Sequence, residues 1–597
     1  MSKPDKTSPS PGRRAAALLW RAVQPEVRHV WVGLFWLCVA AGLDALGPVL
    51  GKAFIDRYLL PRDPNLGAIL GLLGGALVAG CIASLVRYGQ LSRLAGVAMR
   101  SVQRIREAVY GHVLRLPMSF FDRAITGQLV SRVTNDTEAV KMLYVQVLFV
   151  MLDCLIMLTV LLVTMTFLDW RLMLIVATLV PAVLVIVALY KRLSAPAVAR
   201  TRELRSDLNA QTAESISGMA VLQATGATQA YGERYARVND EHFRSRLVEL
   251  RANAWLLRPA LDLLNVSMLA IVIAVFGLRE AGGSLTPIQV GVLYAFVSYI
   301  GRVVEPLIQL TMQFSQLQQS IVSAARVNTL MDEAEAPRPE ATGRVTDGEV
   351  EFERLDFAYT PGVPVLRDVS LRIAPGEFIG IVGPTGSGKS SLLSLLLRFY
   401  PIAVPDSLRI DGQPIASLDE TAFRDSVGLV PQEPFLLAAS AAENIAMGRA
   451  LSTEQIQTAA RAAGAHDFIT RLEHGYATPL GEGGARLAVG EKQLIAIARA
   501  LAGQPRILLL DEATSHIDSE TEHVVQRALG ELRGHLTIIS IAHRLSTIRD
   551  ADRILVLSHG RIAELGPHEA LMGIEGGLYR RLVELQRLAA EDDEAAA

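Results

Sequence analysis

Six apolar runs, each about long enough to cross a lipid bilayer, constrain this chain more than any other feature. They fall at about 29–50, 66–88, 144–168, 172–190, 255–277 and 288–310. A helix of about 20 apolar residues spans the hydrocarbon layer. Backbone N–H and C=O groups there find no water, so each run is expected to be helical. Six crossings return the chain to the side on which it began. The bulk figures fit a chain divided between lipid and water: 51% of residues are hydrophobic and the mean hydropathy is +0.32. A formal net charge of −2 argues against a nucleic-acid binder, which usually shows a basic domain. Cys38, Cys81 and Cys154 all lie in apolar runs without metal-type spacing, so buried thiols are expected rather than a disulfide framework or a zinc site.

Arginines set the expected orientation. The segment 91–143 carries Arg93, Arg100, Arg104, Arg106, Arg115, Arg123, Arg132 and Lys141, and 191–253 is similarly rich. The short connectors 169–171 and 278–287 carry one arginine each, Arg171 and Arg279. Positive charge collects on the cytoplasmic side, so the long segments and both termini are expected there. Structureless connections of about 50 residues would be unusual. Each long segment is therefore predicted to be two helices leaving the membrane and returning, with turns near LPMSFFDRAITG (116–127) and SISGMAVLQATGA (215–227). The basic start MSKPDKTSPSPGRR leads into no short apolar core with a cleavage site, so the first apolar run is expected to stay in the membrane. No cysteine precedes Cys38, so a leader-cleaving cysteine peptidase is not expected.

The pattern changes in the second half. Residues 311–345 lose the apolar run and become acidic and Pro-containing (MDEAEAPRPEATG), a linker composition. From about 346, short β-rich stretches alternate with helical ones: VEFERLDFAY, SLRIAP, FIGIVG, ILLLD, TIISIA, RILVLS. That alternation predicts an α/β domain with a largely parallel sheet. The expected divisions are a polar tail 1–28, a membrane domain 29–325, a linker 326–345, the α/β domain 346–580 and a disordered tail 581–597.

The strand FIGIV runs into GPTGSGKS and then the helical SLLSLLLRF. This is a phosphate-binding loop, GxxxxGK[ST], placed between a strand and a helix as its mechanism requires. Gly383, Gly386 and Gly388 let backbone N–H groups converge on phosphate oxygens. The candidate contacts are Gly383, Pro384, Thr385, Gly386, Ser387, Gly388, Lys389 and Ser390, with Ser391 behind them. Lys389 supplies a positive charge to the β and γ phosphates of ATP, and the Ser390 hydroxyl can ligate Mg²⁺. ILLLDE is an apolar strand ending in two acids. Asp511 is expected to contact Mg²⁺, and Glu512 to polarise the attacking water.

GARLAVGEKQLIAIARAL (484–501) ends shortly before LLLDEAT. It resembles the signature of ATP-binding cassette (ABC) ATPases, which usually reads LSGGQ where this chain has Leu487, Ala488, Val489, Gly490 and Glu491. The resemblance extends over 350–570 in order. Gln432 in LVPQEPF matches the glutamine loop, whose side chain reaches the metal. Tyr359 in FAY matches the aromatic that stacks on adenine. His543 in IAHRLST matches the switch histidine, a hydrogen-bond donor to the γ-phosphate. FFDRAITGQLVSRVTNDT (120–137) resembles the family's first cytoplasmic loop. The chain thus looks like an ABC exporter half-transporter of a bacterial inner membrane, a six-helix membrane α-helical domain fused to an α/β P-loop ATPase domain. GVLYAFVSYIGRVVEPLIQL and QLQQSIVSAARV resemble multidrug-resistance-like halves of the MdlB group, which pair with a different, MdlA-like half. The implied partners are that second half, membrane lipids and a small-molecule or lipid cargo.

Asp44, Asp153 and Asp262 sit in apolar runs, where an ionised carboxylate costs roughly 2.5–3.5 kcal/mol on insertion scales. Arg258 with Asp262, and Arg302 with Glu305, are expected to pair along their helices. Asp153 has no local partner in sequence and is the better candidate to face a cavity. Three functions compete: export by a heterodimer, lipid flipping by a homodimer, and ATP-gated channel or sensor activity. Glu512 weighs against the third, because a pure switch has less need of a catalytic base.

Overall fold

The computed structural model describes residues 17, 19–61, 65–281, 290–337, 341–512, 519–542 and 547–596. The chain divides into two compact units. One comprises Ala124–Glu333 with the chain up to Arg115, and the other comprises Leu116–Arg123 with Ala334 onward.

Among the described residues, the first unit holds six helices long and apolar enough to cross a membrane: α1 (Leu19–Leu59), α2 (Leu66–Val113), α3 (Thr126–Leu168), α4 (Trp170–Ser217), α5 (Thr228–Leu278) and α6 (Val290–Met331). The connections are set by local chemistry. Asn65 Oδ1 accepts from the Ala68 N–H at 3.2 Å and starts α2. Asp169, in extended backbone between α3 and α4, accepts from the N–H groups of Arg171 and Leu172 at 2.8 and 3.3 Å, closing a tight turn. The core gathers Leu161 and Met165 of α3, Val176 of α4, Val272 of α5 and Phe296 and Tyr299 of α6. Tyr299, fully buried, donates its hydroxyl to the Ala45 carbonyl of α1 at 2.5 Å. Large apolar side chains such as Leu85, Phe167 and Leu263 point outward, as in helices whose solvent is lipid.

The helices outrun their apolar stretches, as expected. α2 continues to Val113, a short helix Met118–Phe121 follows, and α3 returns from Thr126. α4 continues to Ser217, Met219–Ala224 forms the turn, and α5 returns from Thr228. The α4 and α5 extensions are stitched by Arg200 to Glu241 at 2.8 Å and by the Thr201 and Ser245 hydroxyls at 3.0 Å.

Several expectations are corrected. Asp153 is not alone: Arg87 bridges it to Asp44 across three helices. Arg302 does not pair with Glu305. It donates across to the Asp44 carbonyl of α1 at 3.0 Å, while Glu305 accepts from Gln309, one turn further along α6, at 3.3 Å. Asp262 is exposed on α5, and the Arg258 side chain lies outside the described ones. The helix α6 persists to Met331, past the expected linker start, since VSAARVNTL is rich in helix formers. α1 begins at Leu19 inside the expected polar tail, where Glu26 accepts from Arg100 and Arg104. A last helix, Leu578–Ala596, runs through the stretch read as disordered, whose Ala, Glu, Leu and Arg content favours helix. The start of the sixth apolar run, 288–289, lies outside the described residues.

In the second unit a six-stranded sheet has the order β10-β9-β3-β8-β7-β6. Its strands are β3 (Phe378–Val382), β6 (Val427–Val430), β7 (Ile507–Asp511), β8 (Thr537–Ile541), β9 (Arg553–Ser558) and β10 (Arg561–Gly566). All neighbours are parallel except β9 and β10. Every residue of β3 and β8 is buried, as continuous apolar strands covered on both faces require. A smaller antiparallel sheet, β2-β1-β4-β5, joins β1 (Val350–Phe357), β2 (Leu366–Ile373), β4 (Leu408–Ile410) and β5 (Gln413–Pro414). The alternation pattern did not reveal this second sheet.

Candidate nucleotide-binding site

The phosphate loop leaves β3 at Val382 and enters helix α7 (Lys389–Leu396). Its glycines are required by geometry. Gly383 has φ 152°, and a Cβ there would lie 2.1 Å from the Leu557 carbonyl oxygen. Gly388 has φ 104°, and its Cβ would meet Leu366 Cδ2 at 2.6 Å. Gly388 is also the N-cap of α7 and has no side chain to cap it, so the first N–H groups of the helix are available to an anion. Pro384, Thr385, Gly386 and Ser390 are exposed around this end.

Lys389 is buried, and its Nζ donates to the carbonyls of Gly383 and Pro384 at 2.8 and 3.2 Å. Burial pulls its pKa below the usual lysine value, opposed by the charges of Glu512 and Asp511. The Ser387 hydroxyl is buried and has no hydrogen-bond partner among the described residues. A lysine held, among the described residues, by its own loop's carbonyls and an orphaned hydroxyl beside it are the features a phosphate oxygen would satisfy. Behind the loop, Ser391 Oγ accepts from the Tyr359 hydroxyl at 3.0 Å. Tyr359 packs edge-on against Phe357 and Tyr400, each at 4.8 Å, and remains 47% exposed, so part of its ring is open to a planar base.

Two neighbouring strands deliver the acids. Asp511 ends β7, in register with Ile541 of β8. Glu512 follows at φ 50°, a left-handed conformation costing about 1–3 kcal/mol for a non-glycine residue, and its N–H is fixed by the Ile541 carbonyl at 3.0 Å. His543 lies outside the described residues. The sheet order nevertheless places the end of β8, from which it follows, between β3 and β7. Gln432, two residues beyond β6, is exposed. The oxygens of Ser390, Asp511 and Gln432 are a hard donor set of the kind that holds Mg²⁺.

The signature stretch is built differently. Leu487 is buried, and Ala488 is the N-cap of helix α9 (Val489–Leu501) without a side chain to cap it. Glu491 turns back, its Oε2 accepting the Ala488 N–H at 2.9 Å. Val489 is 49% exposed. Gly490 is buried, and a Cβ there would meet Thr521 at 2.7 Å. Packing within this chain thus demands a glycine at 490 but leaves 489 open to valine. Among the described residues, no hydrogen bond joins 487–491 to the phosphate loop.

Three residues of α9 and its surroundings went unnoticed in the sequence. Gln493 bonds the Pro431 carbonyl just before Gln432, and Arg499 bonds the Phe435 carbonyl just after it together with Asn444 of helix α8 (Ala441–Ala446). They read simply as polar interruptions of a buried helix.

The family model for the ABC transporter transmembrane region matches residues 30–307, and that for the ABC transporter matches residues 366–515. The putative ABC transporter ATP-binding protein exp8 of Streptococcus pneumoniae is 38% identical, over 96% of this chain and 97% of its own. The multidrug resistance-like ATP-binding protein MdlB of Buchnera aphidicola is 34% identical, over 94% and 96%. The fatty acid ABC transporter ATP-binding/permease protein of Mycobacterium bovis is 38% identical, over 86% and 81%. Among solved structures, a bacterial Atm1-family ABC exporter with ATP bound superposes with a TM-score of 0.73 at 29% identity, covering 94% of this chain and 98% of that one. Six membrane-spanning helices and an ATP-hydrolysing α/β domain in one polypeptide therefore place the chain in the ABC transporter family, as an exporter.

Proposed function

We propose that this chain is one half of a heterodimeric exporter that moves amphipathic small molecules or lipids across the bacterial plasma membrane. Both termini and the long helical extensions face the cytoplasm. The observation that carries the heterodimer is the contrast between a complete phosphate loop and an altered signature. Lys389, Asp511 and Glu512 are in place, whereas Ala488 offers no hydroxyl and Glu491 holds a carboxylate at the start of α9. In the family's arrangement each ATP lies on one chain's loop and against the other chain's signature. A partner with an intact signature would complete the site containing Glu512.

At that site Tyr359 stacks on the adenine, and the loop N–H groups with Lys389 hold the phosphates. Glu512 accepts the proton of the attacking water, and His543 donates to the γ-phosphate. Ser390, Gln432 and Asp511 would hold Mg²⁺, which would supply positive charge to the phosphate oxygens. The names of relatives, multidrug resistance-like and fatty acid transporters, support an amphipathic cargo.

The second reading is a homodimeric lipid flippase, supported by the fatty acid transporter among the relatives. Purification of this chain alone separates the two. The heterodimer predicts weak ATPase for the chain by itself and recovery with a co-expressed second half. Strong ATPase from the chain alone, with LAVGE on both faces, would favour the homodimer.

A further inference from the structure

Two of the membrane-spanning helices are interrupted by proline, and the interruptions meet. Pro48 lies inside α1 and Pro306 inside α6. Proline has no N–H, so Pro48 cannot serve the carbonyl four residues before it, that of Asp44, and its ring pushes that carbonyl aside. Gly47 beside it weakens the same turn. Pro306 likewise leaves the Arg302 carbonyl without its usual helical donor. Asp44 and Arg302 are also the two residues that touch: Arg302 Nη1 donates to the Asp44 carbonyl at 3.0 Å.

Both prolines stand in apolar runs, where no water replaces a lost backbone hydrogen bond. α1 is nevertheless helical on both sides of Pro48, through Val27–Phe54. The donor missing from its own backbone comes from a side chain of α6. An arginine in an apolar run is itself costly, and among the described residues Arg302 makes no ion pair, so this carbonyl is what it serves. Neighbouring contacts hold the two helices together around the point. Tyr299 donates to the Ala45 carbonyl at 2.5 Å, an acceptor that still has a helical donor in Val49. Further along, Asp56 Oδ1 accepts the Gly291 N–H at 2.8 Å, and a Cβ on Gly51 would run into the Tyr294 ring. Asp44 is thus held twice, by its carboxylate to Arg87 of α2 and by its carbonyl to Arg302 of α6.

We propose that Arg302 is a positioning residue that stands in for the N–H missing at Pro48. α1 keeps its direction across the proline only while α6 lies against it, and α1 bends there when Arg302 withdraws. The Pro48 turn is a hinge whose latch belongs to another helix, so bending of α1 is coupled to displacement of α6. The inference goes beyond the export reading. It depends on α1 and α6 crossing a membrane, and not on the cargo or on which chain is the partner.

The test is whether Pro48→Ala makes Arg302 dispensable. Two readouts are taken on the assembled transporter in nanodiscs, without nucleotide and with ATP and vanadate. One is Tm. The other is the distance between spin labels at Val32→Cys and Arg57→Cys, exposed positions of α1 about 38 Å apart along a straight helix. Cys38, Cys81 and Cys154 are replaced, and unlabelled chain is in excess, so that electron–electron double resonance reads pairs within one chain. Arg302→Met should lower Tm by about 2–4 °C and broaden the distance in at least one of the two states. Pro48→Ala restores the backbone donor, so adding Arg302→Met to it should change neither readout further. Equal Tm losses from Arg302→Met with and without Pro48→Ala overturn the proposal, as does an unchanged distance in both states. So does a loss from Tyr299→Phe that Pro48→Ala also removes, because the rescue would then not be specific to the Asp44 carbonyl. If Arg302→Met does not fold, recovery of folded protein on adding Pro48→Ala supports the proposal, and continued failure overturns it.

Discussion

Arg87 Nη2 donates to Asp153 Oδ2 at 2.6 Å while its Nη1 reaches Asp44 Oδ2 at 3.2 Å, so one guanidinium joins the second apolar helix to the first and third. The three side chains are 38%, 28% and 29% exposed, which makes this a partly open cluster with one excess negative charge. Removing one member of a fully buried pair costs about 3–5 kcal/mol, and partial exposure should reduce that here.

Arg87→Gln should therefore be the most damaging single change in the cluster, because it leaves two carboxylates together without a cation. Its yield and Tm should fall below those of Asp153→Asn, in which Arg87 keeps Asp44. Adding Asp44→Asn and Asp153→Asn to Arg87→Gln should recover much of the loss. If the cluster also lines the transport path, Asp153→Asn should alter transport while basal ATPase and expression stay near wild type. A fall in expression alone would make Asp153 purely structural.

The cluster also marks what the sequence does not disclose. The apolar runs and their helical extensions were legible, because hydropathy and helix propensity are local. The strand, loop and helix around 383–390 and the strand ending at Asp511 were legible because these elements follow one another in the chain. Arg87 was not, since it stands at the end of an apolar run and its partners are 43 and 66 residues away. The same is true of Arg499, whose acceptors lie on another element. The second sheet was missed because β4 and β5 are only three and two residues long. The contact of Glu491 with the Ala488 N–H was likewise not disclosed by the sequence.

The phosphate-loop glycines should not be equivalent. At Gly386 a Cβ meets nothing within 4 Å, so Gly386→Ala should cost only the left-handed backbone strain, about 1–2 kcal/mol. At Gly383 the same methyl would lie 2.1 Å from the Leu557 carbonyl oxygen, and the strand end must move. Thermal unfolding and ATP binding of the two variants should show a larger loss for Gly383→Ala in both. Equal losses would mean that the loop does not keep this geometry in solution.

Lys389 should make nucleotide binding proton-linked at alkaline pH. Burial lowers its pKa from 10.5 in the folded chain. A lysine depressed in this way detracts from stability wherever it is protonated both folded and unfolded. That cost fades as pH rises through its folded pKa toward 10.5. Phosphate beside the ammonium should raise the pKa again, so binding between the free and bound values takes up a proton and weakens as pH rises. Calorimetric titration of ATP in buffers of different ionisation heats should detect the uptake, and Lys389→Met should abolish it. No uptake in the unsubstituted protein would mean that Lys389 does not meet the phosphates.

The altered signature should matter far less to hydrolysis than Glu512. A serine hydroxyl on a charged phosphate is worth roughly 1.5–3 kcal/mol. At 1.36 kcal/mol per factor of ten, restoring it at a hydrolysing site would raise turnover about tenfold or more. The structure shows how Ala488, Val489 and Glu491 are accommodated. The Ala488 N–H is capped by Glu491, the Val489 side chain is largely exposed, and the close contact with Thr521 falls on Gly490, which is retained. Ala488→Ser, Val489→Gly and Glu491→Gln together should therefore fold normally. If the LAVGE face meets a nucleotide that the partner does not hydrolyse, the triple change should leave steady-state ATPase of the complex within about twofold. Glu512→Gln in the same complex should lower it by the roughly 10²–10⁴-fold that a general base contributes. A tenfold rise from the restored signature, or substantial ATPase surviving Glu512→Gln, would show that hydrolysis takes place at the LAVGE face, and the asymmetric arrangement would have to be abandoned.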